Sequence, residues 1–379
     1  MGTNNHSEDN SMKIPKLLIL AIFVLLLPLG CKDVSTGPEE MGDRVVGGVN
    51  LTLLFAPPDS SEIAAVLAEW KGRSPSAQGI EVAATRSLTL GGSPFTVRIV
   101  SHRVDGIRHY GALVVPDGAK QASLPIVVVG HGGDNGQNVD DLLQLLPYSL
   151  GSSITSSIYV IPAFRSESLT FGGVTYKSEG EPSPWDRDVD DALALLSVAF
   201  ARVPEADSTR IASLGFSRGA CVAMLMAIRN PAIDLVIEFF GPTDFFGPYV
   251  QEIAEEALQG KLRDLPGLDY LNDRFIQPLK NGTITMKEVR RELLRRSPVY
   301  FTDRMPDLQL HHGTDDIVVY VSQAEKMIEV MRARGVSQLH FESYLYPGGQ
   351  HNPFTLPGSV ERSQAFLARL FTRGSLAGR

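Results

Sequence analysis

The sequence predicts an α/β fold, in which helices cover both faces of a mostly parallel central sheet. First, strand-like apolar runs alternate with helix-like runs over most of the 379 residues, an order that favours parallel strands. Second, residues 125–129 form a β-branched run that is typical of a buried central strand. Third, residues 210–228 have the pattern of a strand, a sharp turn and a helix.

The predicted elements follow one another in a regular order along the chain. Residues 60–71 have apolar positions at helical spacing behind a Ser-Ser-Glu cap. Residues 95–101 and 110–115 are two strand patterns joined by a turn at 103–106. Further strands are expected at 125–129, 158–161, 210–214, 235–240, 308–311 and 339–345. Further helices are expected at 321–334, 360–372 and 185–200, the last with Val189, Ala192, Leu193, Leu195, Leu196 and Phe200 on its buried face.

One long segment interrupts this alternation between two of the predicted strands. Residues 241–306 contain charge-rich, helix-like runs at 252–262 and 286–296 and no clear strand. We therefore expect a helical cap insertion at about 242–306, placed over the ends of the strands.

The first thirty residues resemble an export signal. Residues 17–29 are continuously apolar and follow Lys13 and Lys16, and thirteen residues are too few to cross a bilayer comfortably. The Leu-Gly-Cys sequence ending at Cys31 resembles a bacterial lipoprotein signal, although Pro28 departs from the usual pattern. We expect residues 1–30 to be a lipoprotein-like signal peptide and Cys31 to be lipidated. An ordinary cleaved signal and an uncleaved anchor are the alternatives.

The remaining domain boundaries follow from composition. Residues 32–43 are polar and tether-like, so residues 31–80 are expected to be a tether with an N-terminal extension and residues 81–375 the folded domain. Export would then lead to the bacterial cell envelope, with attachment at the outer membrane or the periplasmic face; Lys32 after the cysteine favours the outer membrane. Met12 is an alternative start of translation.

Charge and cysteine content exclude several classes of function. A net charge of −8 without a basic stripe argues against a nucleic-acid partner. The only two cysteines are Cys31, beside the apolar segment, and Cys221, in the helix after the turn, so they are not expected to form a disulfide. No cofactor and no metal are expected.

The most informative segment is Gly215-Phe216-Ser217-Arg218-Gly219, between a predicted strand and a predicted helix. A serine at the apex of such a turn is held in a strained conformation with its hydroxyl exposed, which makes Ser217 a candidate nucleophile. Glycine is needed on either side because a Cβ atom would collide with the neighbouring strand or helix. The pentapeptide alone would arise by chance in about one chain in ten of this length.

A serine nucleophile needs a histidine base and an acid, which follow it in the chain in an open α/β sheet. His351 lies in a glycine-containing loop after the last predicted strand, where a base is free to reach the serine, whereas His340 falls inside that strand. Asp315 and Asp316 both suit the acid on spacing alone. Together with His311 and His312 they suggest a metal site, but neighbouring residues on a strand point to opposite faces and do not converge on one ion.

The oxyanion of a tetrahedral intermediate needs two backbone donors. One is expected to be the N–H of Arg218, and the other to come from the loop Gly132-Gly133-Asp134, at Gly133 or Asp134, since glycine lets the backbone approach the substrate. The side chain of Arg218 has two interpretations, a contact with an acidic substrate or a surface ion pair. The candidate residues of a substrate pocket are His131, Phe164, Phe240 and Phe245, of which the two last fit plain core equally well.

Taken together, these motifs resemble an α/β-hydrolase, with the closest likeness to the catalytic domain of prolyl-oligopeptidase-type peptidases and to dienelactone hydrolases and acetyl esterases. The segments that carry the resemblance are 126–133, 162–166, 188–191, 207–219, 312–316 and 349–351. The resemblance covers residues 87–371 apart from the cap and implies Ser217 as nucleophile, His351 as base and Asp316 rather than Asp315 as acid. Ser166 stands where the family usually has glycine, and about fifty residues between the tether and the first core strands leave no room for the β-propeller of the peptidases.

Three hypotheses about function follow. The first is an exported serine hydrolase that cleaves carboxylic esters through an acyl-enzyme. The second keeps the same chemistry on other bonds, as a serine oligopeptidase or a lactone hydrolase acting on short substrates. The third is a surface binding protein that has the fold without catalysis. The oligomeric state is left open.

Overall fold

A computed structural model describes residues 43–73 and 75–373 of the chain. The expected signal peptide, the lipidation site Cys31 and almost all of the tether lie outside the described residues. Within the described part of the chain, every helix is too short or too polar to cross a lipid bilayer.

Nine of the strands in the described residues form one central sheet, and the others form a short hairpin and a small three-stranded sheet. In chain order the strands are β1 Val45–Val46, β2 Val49–Asn50, β3 Gln78–Leu90, β4 Ser93–Val104, β5 Ile107–Pro116, β6 Leu124–Gly130, β7 Gln137–Asn138, β8 Ile158–Pro162, β9 Ser168–Phe171, β10 Val174–Lys177, β11 Ala206–Phe216, β12 Leu235–Phe239, β13 Asp307–Gly313 and β14 Phe341–Tyr346. Every strand predicted from the sequence is present.

The central sheet has the strand order β14-β13-β12-β11-β6-β8-β5-β4-β3. Strands from β14 to β8 pair in parallel, whereas β8-β5-β4-β3 pair antiparallel. The hairpin between β4 and β5 turns at Asp105 and Gly106, both with positive φ, as a two-residue hairpin requires. The mostly parallel part of the sheet is therefore confirmed and brings the carboxyl ends of β11, β12, β13 and β14 to one edge.

Helices pack on both faces of this sheet. In chain order they are α1 Leu51–Leu54, α2 Ser60–Gly72, α3 Val139–Leu150, α4 Arg187–Arg202, α5 Arg218–Arg229, α6 Pro248–Leu258, α7 Leu268–Leu271, α8 Gln277–Lys280, α9 Met286–Arg295, α10 Ser322–Ala333, α11 Ser359–Leu367 and α12 Arg369–Arg373. On β6, Ile126 and Val128 join the apolar cluster of α4, α5 and α10, while Val127 and Val129 join that of α3, α11 and α12. This alternation is the period of two that a strand buried on both faces requires. Phe200, expected on the buried face of α4, is instead 39% exposed.

The boundary expected at residue 81 does not separate two compact units, because residues 43–80 pack on the domain. Helix α2 begins at a capping box formed by Asp59 and Glu62. Its Trp70 ring lies 4.6 Å from the ring of Phe301, and the Glu62 carboxylate accepts hydrogen bonds of 2.7 and 2.8 Å from Arg290. The N-terminal extension is thus part of the folded domain from residue 43 onward.

The cap segment, residues 242–306, contains no strand and connects β12 to β13. It consists of α6 to α9, a π-helical turn at Asn272–Ile276 and a 3₁₀ segment at Pro298–Arg304. Helix α9 has a second capping box, between Thr285 and Glu288. Apolar side chains of α6 and α7 lie beside Ser217, so this segment forms one wall of the candidate site.

Candidate active site

Ser217 lies at the end of β11, directly before the first residue of α5, with φ 53° and ψ −119°. Positive φ is strained for any residue with a side chain, and the surrounding packing holds it here. A Cβ atom on Gly215 would overlap the backbone of α5 at Gly219, and one on Gly219 would overlap β6 at Gly130. The Ser217 N–H donates a 2.9 Å hydrogen bond to the carbonyl of Phe239. The strand and helix can approach this closely only because both flanking residues are glycines.

Asp316 and His351 are joined by a 2.7 Å hydrogen bond between Oδ2 and Nδ1. The carboxylate of Asp316 is buried, and its Oδ1 accepts hydrogen bonds from the backbone N–H groups of Val318 and Val319 at 2.9 and 3.0 Å. Asp315 is exposed, and the nearest hydrogen-bond donor to its carboxylate is the hydroxyl of Thr314 at 3.1 Å. Of the two aspartates, Asp316 is therefore the one in contact with the histidine.

The loop that carries His351 is attached to the loop that carries Asp316 along several residues. The N–H of Asp315 donates to the carbonyl of Gly349 at 2.8 Å, and the N–H of Gly348 donates to Thr314 Oγ1 at 2.9 Å. A Cβ atom on Gly313 would overlap the backbone of Gly349. The two loops consequently hold their side chains in one relative position.

Ser217, Asp316 and His351 come from the carboxyl ends of β11, β13 and β14, which are the same edge of the sheet. Phe240, at the end of β12, lies between these strands and has a φ of 44°. Its ring is 4.3 Å from the ring of His351, and the preceding residue, Phe239, accepts the hydrogen bond from Ser217. The topology therefore brings the three predicted residues to adjacent strand ends.

The glycine loop after β6 also lies against Ser217. A Cβ atom on Gly132 would be 3.1 Å from the Cβ of Ser217, so glycine is what allows this approach. Gly133 has a φ of 73° with open space around it, which provides room for a substrate atom. The N–H of Arg218, at the first position of α5, belongs to the helix turn whose amides have no intrahelical acceptor. Gly133 and Asp134 thus remain the predicted second donors, and Gly132 is the residue of this predicted loop that lies against Ser217.

The side chain of Arg218 takes neither of the two positions left open by the sequence, because it is buried. Its guanidinium donates to both oxygens of Asp188, at 2.7 and 2.9 Å, and forms a short ion pair with Glu167. A further 3.2 Å hydrogen bond reaches the carbonyl of Gly133. Arg218 therefore ties the start of α5 to the glycine loop from inside the protein.

Burial controls protonation next to this arginine. Burial raises the pKa of Glu167 to about 7, although Arg218 opposes the shift. His131 lies 3.3 Å from Glu167 through its Nε2, and burial together with Arg218 lowers its pKa to about 4. The imidazole of His131 is therefore neutral at pH 7, and it stacks on Phe164 at 4.5 Å.

The other predicted pocket residues lie in two different hollows. Phe245 packs edge-on against Trp185 and lines a hollow of about 40 Å³ that also contacts Ser217. His131 and Phe240 line a separate and larger cavity. Phe164 is fully buried between His131 and the Arg218 guanidinium, which lies 5.0 Å from its ring.

The remaining histidines of this region have structural partners. His311 lies between the hydroxyl of Tyr346 at 2.7 Å and Gln309 Oε1 at 2.9 Å, whereas His312 Nε2 is 2.8 Å from the carbonyl of Val319. Among the described residues, no group of three or more potential ligands is placed to hold a metal ion. His340 precedes β14 rather than lying inside it; its exposed ring contacts Asp307 at 2.6 Å, at the opposite end of β13 from Asp316.

Comparison with solved structures identifies the architecture. An acetyl xylan esterase from Thermoanaerobacterium sp. JW/SL YS485 matches with a TM-score of 0.55 and 19% identity, over 82% of this chain and 93% of that one. An acetyl xylan esterase from Paenibacillus sp. R4 matches with a TM-score of 0.55 and 18% identity, over 84% and 98%. An acylaminoacyl peptidase from Pyrococcus horikoshii has a TM-score of 0.50 and 15% identity, over 75% and 41%. No protein-family model and no curated protein matches the sequence.

The chain has the α/β-hydrolase fold. Within that fold the expectation of a mostly parallel sheet with helices on both faces is confirmed. The roles of Glu167 and Asp188 were missed because they depend on contacts with Arg218 across the chain. One sequence signal could have indicated these ion pairs, namely the run Asp188-Val189-Asp190-Asp191. Three acidic residues among four at the start of a buried helix require cationic partners.

Proposed function

We propose that this chain is a serine hydrolase that cleaves carboxylic esters through an acyl-enzyme on Ser217. In this proposal His351 is the general base and Asp316 is the acid that orients it. The observation that carries the proposal is the 2.7 Å hydrogen bond between Asp316 and His351 at the strand edge where Ser217 occupies a strained turn. A nucleophile, a base and an orienting group in that order are what acyl transfer requires.

In the proposed mechanism each group has one part of the reaction. The Nδ1–H of His351 donates to Asp316, which leaves Nε2 as the acceptor for the proton of the Ser217 hydroxyl. Attack of Oγ on the ester carbonyl forms a tetrahedral intermediate, and its collapse transfers the proton from His351 to the departing alcohol. Water then repeats the sequence on the acyl-enzyme, which releases the acid and restores Ser217.

Backbone amides are proposed to stabilise the negative oxygen of the intermediate. The N–H of Arg218 follows the nucleophile at a helix N-terminus, where the helix dipole favours negative charge. The second donor is proposed to come from Gly133 or Asp134 in the glycine loop. The hydrogen bond from the Arg218 side chain to the Gly133 carbonyl supports this, because it fixes the orientation of the peptide between these two residues.

Esters are favoured over peptides as substrates by the extent of the structural likeness. The two acetyl xylan esterases align over 93% and 98% of their own length, whereas the acylaminoacyl peptidase aligns over 41% of its length. Peptide and lactone bonds require the same nucleophile, so they are the alternative substrates of the same proposal.

Labelling with a fluorophosphonate probe tests the nucleophile. We expect the wild-type chain to be labelled and Ser217→Ala not to be labelled. Asp316→Asn keeps the shape of the side chain but no longer stabilises the histidine cation, so we expect kcat on p-nitrophenyl acetate to fall by about 10³–10⁴-fold. Asp315→Asn, one residue away and exposed, is the matched control and should retain activity. Labelling that survives Ser217→Ala, or equal losses in both asparagine variants, would contradict the proposal.

A panel of substrates tests which kind of bond the enzyme cleaves. We expect hydrolysis of p-nitrophenyl esters to exceed that of proline and alanine p-nitroanilides and of a lactone such as dihydrocoumarin. A preference for the anilides would assign the chain to peptide hydrolysis with the same triad, and a preference for the lactone to lactone hydrolysis.

We also propose that the enzyme is exported and lipid-attached through Cys31 at the cell envelope. The support is the sequence of residues 13–31, with two lysines, an apolar run and Leu-Gly-Cys. Expression in a diderm bacterium with an alkyne-tagged fatty acid should label the chain in the membrane fraction. Cys31→Ser should lose the label; a label that stays in this variant would reject the attachment site.

A further inference from the structure

A large apolar cavity lies between one face of the central sheet and two helices. Its volume is about 460 Å³, within the range of small-molecule binding sites. The sheet contributes one wall, α3 a second and α11 a third. The apolar lining residues of these walls include Val129, Leu214, Ile237, Leu142, Leu146 and Val360.

The lining of this cavity comes close to the candidate nucleophile, although Ser217 itself lines only the smaller hollow. Gly132 and Phe216 belong to the lining; Phe216 directly precedes Ser217, and a Cβ atom on Gly132 would lie 3.1 Å from the Cβ of Ser217. Phe240 also lines the cavity, and its ring lies 4.3 Å from the ring of His351. Residues next to Ser217 and His351 therefore form part of the lining of this cavity.

The lining selects an apolar, uncharged occupant. Its polar side chains are His131, which is neutral at pH 7, Gln137, Asn138 and Asp141 near the start of α3, and Ser363, whose hydroxyl is 3.3 Å from His311. No arginine or lysine lines it among the described residues, so an anionic or phosphorylated ligand would have no partner there. Phe354, on the rim, is 59% exposed, and an apolar surface of this kind gains stability when a hydrocarbon covers it.

The dimensions match a hydrocarbon chain. At about 30 Å³ for each water-sized group, 460 Å³ holds roughly fifteen such groups. Leu142 and Leu150 are eight residues apart on α3, so the lining extends about 12 Å along that helix. The other hollow at Ser217, beneath the cap segment, measures about 40 Å³ and has room for little more than one such group.

We infer that this cavity binds the acyl chain of the substrate and that the enzyme prefers medium-chain acyl esters, of about six to ten carbons, to acetyl esters. The inference rests on the proposed function, since the acyl group must be attached to Ser217. It goes beyond that function because the acyl chain occupies a site between α3, α11 and the sheet that the reaction itself does not require.

Esters of one alcohol and increasing acyl length test the preference. With p-nitrophenyl acetate, hexanoate, octanoate and decanoate, we expect kcat/KM to rise by about tenfold or more from acetate to octanoate. Leu146→Trp on α3 and Val360→Trp on α11 place a large side chain into the cavity from opposite walls. Each should lower kcat/KM for octanoate by about tenfold or more while that for acetate stays within about threefold. Leu53→Trp, at an exposed site on α1, is the control for the added side chain.

Binding without turnover separates this inference from the proposed function. Octanamide, an uncharged analogue of the acyl group, should stabilise Ser217→Ala against thermal unfolding, and the added Leu146→Trp substitution should remove that effect. Ser217-dependent hydrolysis that is fastest on acetate, or an acyl profile unchanged in both tryptophan variants, would overturn the inference that the cavity binds the acyl chain and would leave the proposed serine hydrolase function standing. Octanamide binding that depends on Leu146, without hydrolysis of any ester, would overturn the proposed function and support a hydrocarbon-binding cavity.

Discussion

Replacing Arg218 by methionine is the most informative single perturbation of the site. The guanidinium is 4% exposed and donates to Asp188 at 2.7 and 2.9 Å, to Glu167 and to the Gly133 carbonyl at 3.2 Å. Methionine retains most of the apolar stem but removes the charge and all of these donors. Two buried carboxyl groups then lose their cationic partner, and the glycine loop loses its attachment to α5.

The expected loss of folding stability in Arg218→Met follows from the burial of the ion pairs that Arg218 forms. Removal of one partner from a buried ion pair costs about 3–5 kcal/mol, because the other charge is left uncompensated. The exposed pair between Arg274 and Glu181, at 2.6 Å, offers a matched control, since both side chains are in solvent. Arg274→Met should change the free energy of unfolding by about 0–1 kcal/mol.

The pH dependence of the loss gives an independent check. Glu167 has a folded-state pKa of about 7 against an ordinary value of 4.5, and removing Arg218 raises it further. A carboxyl group with a raised folded-state pKa lowers stability progressively as pH rises from the unfolded value to the folded one. The deficit of Arg218→Met in urea unfolding should therefore be larger at pH 8 than at pH 5. A loss below about 1 kcal/mol at both pH values, equal to that of Arg274→Met, would refute this account of the cluster.

Two further predictions concern the backbone and the core. Gly219→Ala places a Cβ atom into the backbone of β6 and should strongly destabilise the fold. Gly133→Ala should destabilise it far less, because the space around Gly133 is open and only the positive φ costs about 1–2 kcal/mol. Equal urea midpoints for the two variants would contradict the packing argument. Glu238 is fully buried on β12, and burial raises its pKa to about 8 from an ordinary 4.5. As pH rises from the ordinary pKa to the raised one, ionisation of Glu238 should therefore lower the free energy of unfolding by about 1.4 kcal/mol per pH unit. Glu238→Gln should abolish this decrease. Parallel stability curves for Glu238→Gln and wild type between pH 5 and 9 would show that Glu238 is ionised in the folded protein.

Local pattern was enough to predict the order of the elements and the position of the nucleophile. Strand and helix periodicity are properties of neighbouring residues, so the alternation after residue 124 and the helical character of the cap segment are visible in the sequence. The turn at Ser217 is likewise local, because the two glycines and the strand–helix context lie within twenty residues. The packing of the N-terminal extension was not visible in the same way, since its contacts, such as Trp70 with Phe301, join distant parts of the chain.

The sequence by itself determined the fold class, the strained serine and the set of residues from which a base and an acid can come. Spacing alone left Asp315 and Asp316 equivalent; the tertiary structure distinguishes them, because only the second is buried with its oxygens toward His351 and two backbone amides. The tertiary structure alone also determines the role of the Arg218 side chain and the presence of the cavity between α3, α11 and the sheet. Burial, charge pairing and empty volume are produced by segments that meet only when the chain is folded, and no local pattern records which segments those are.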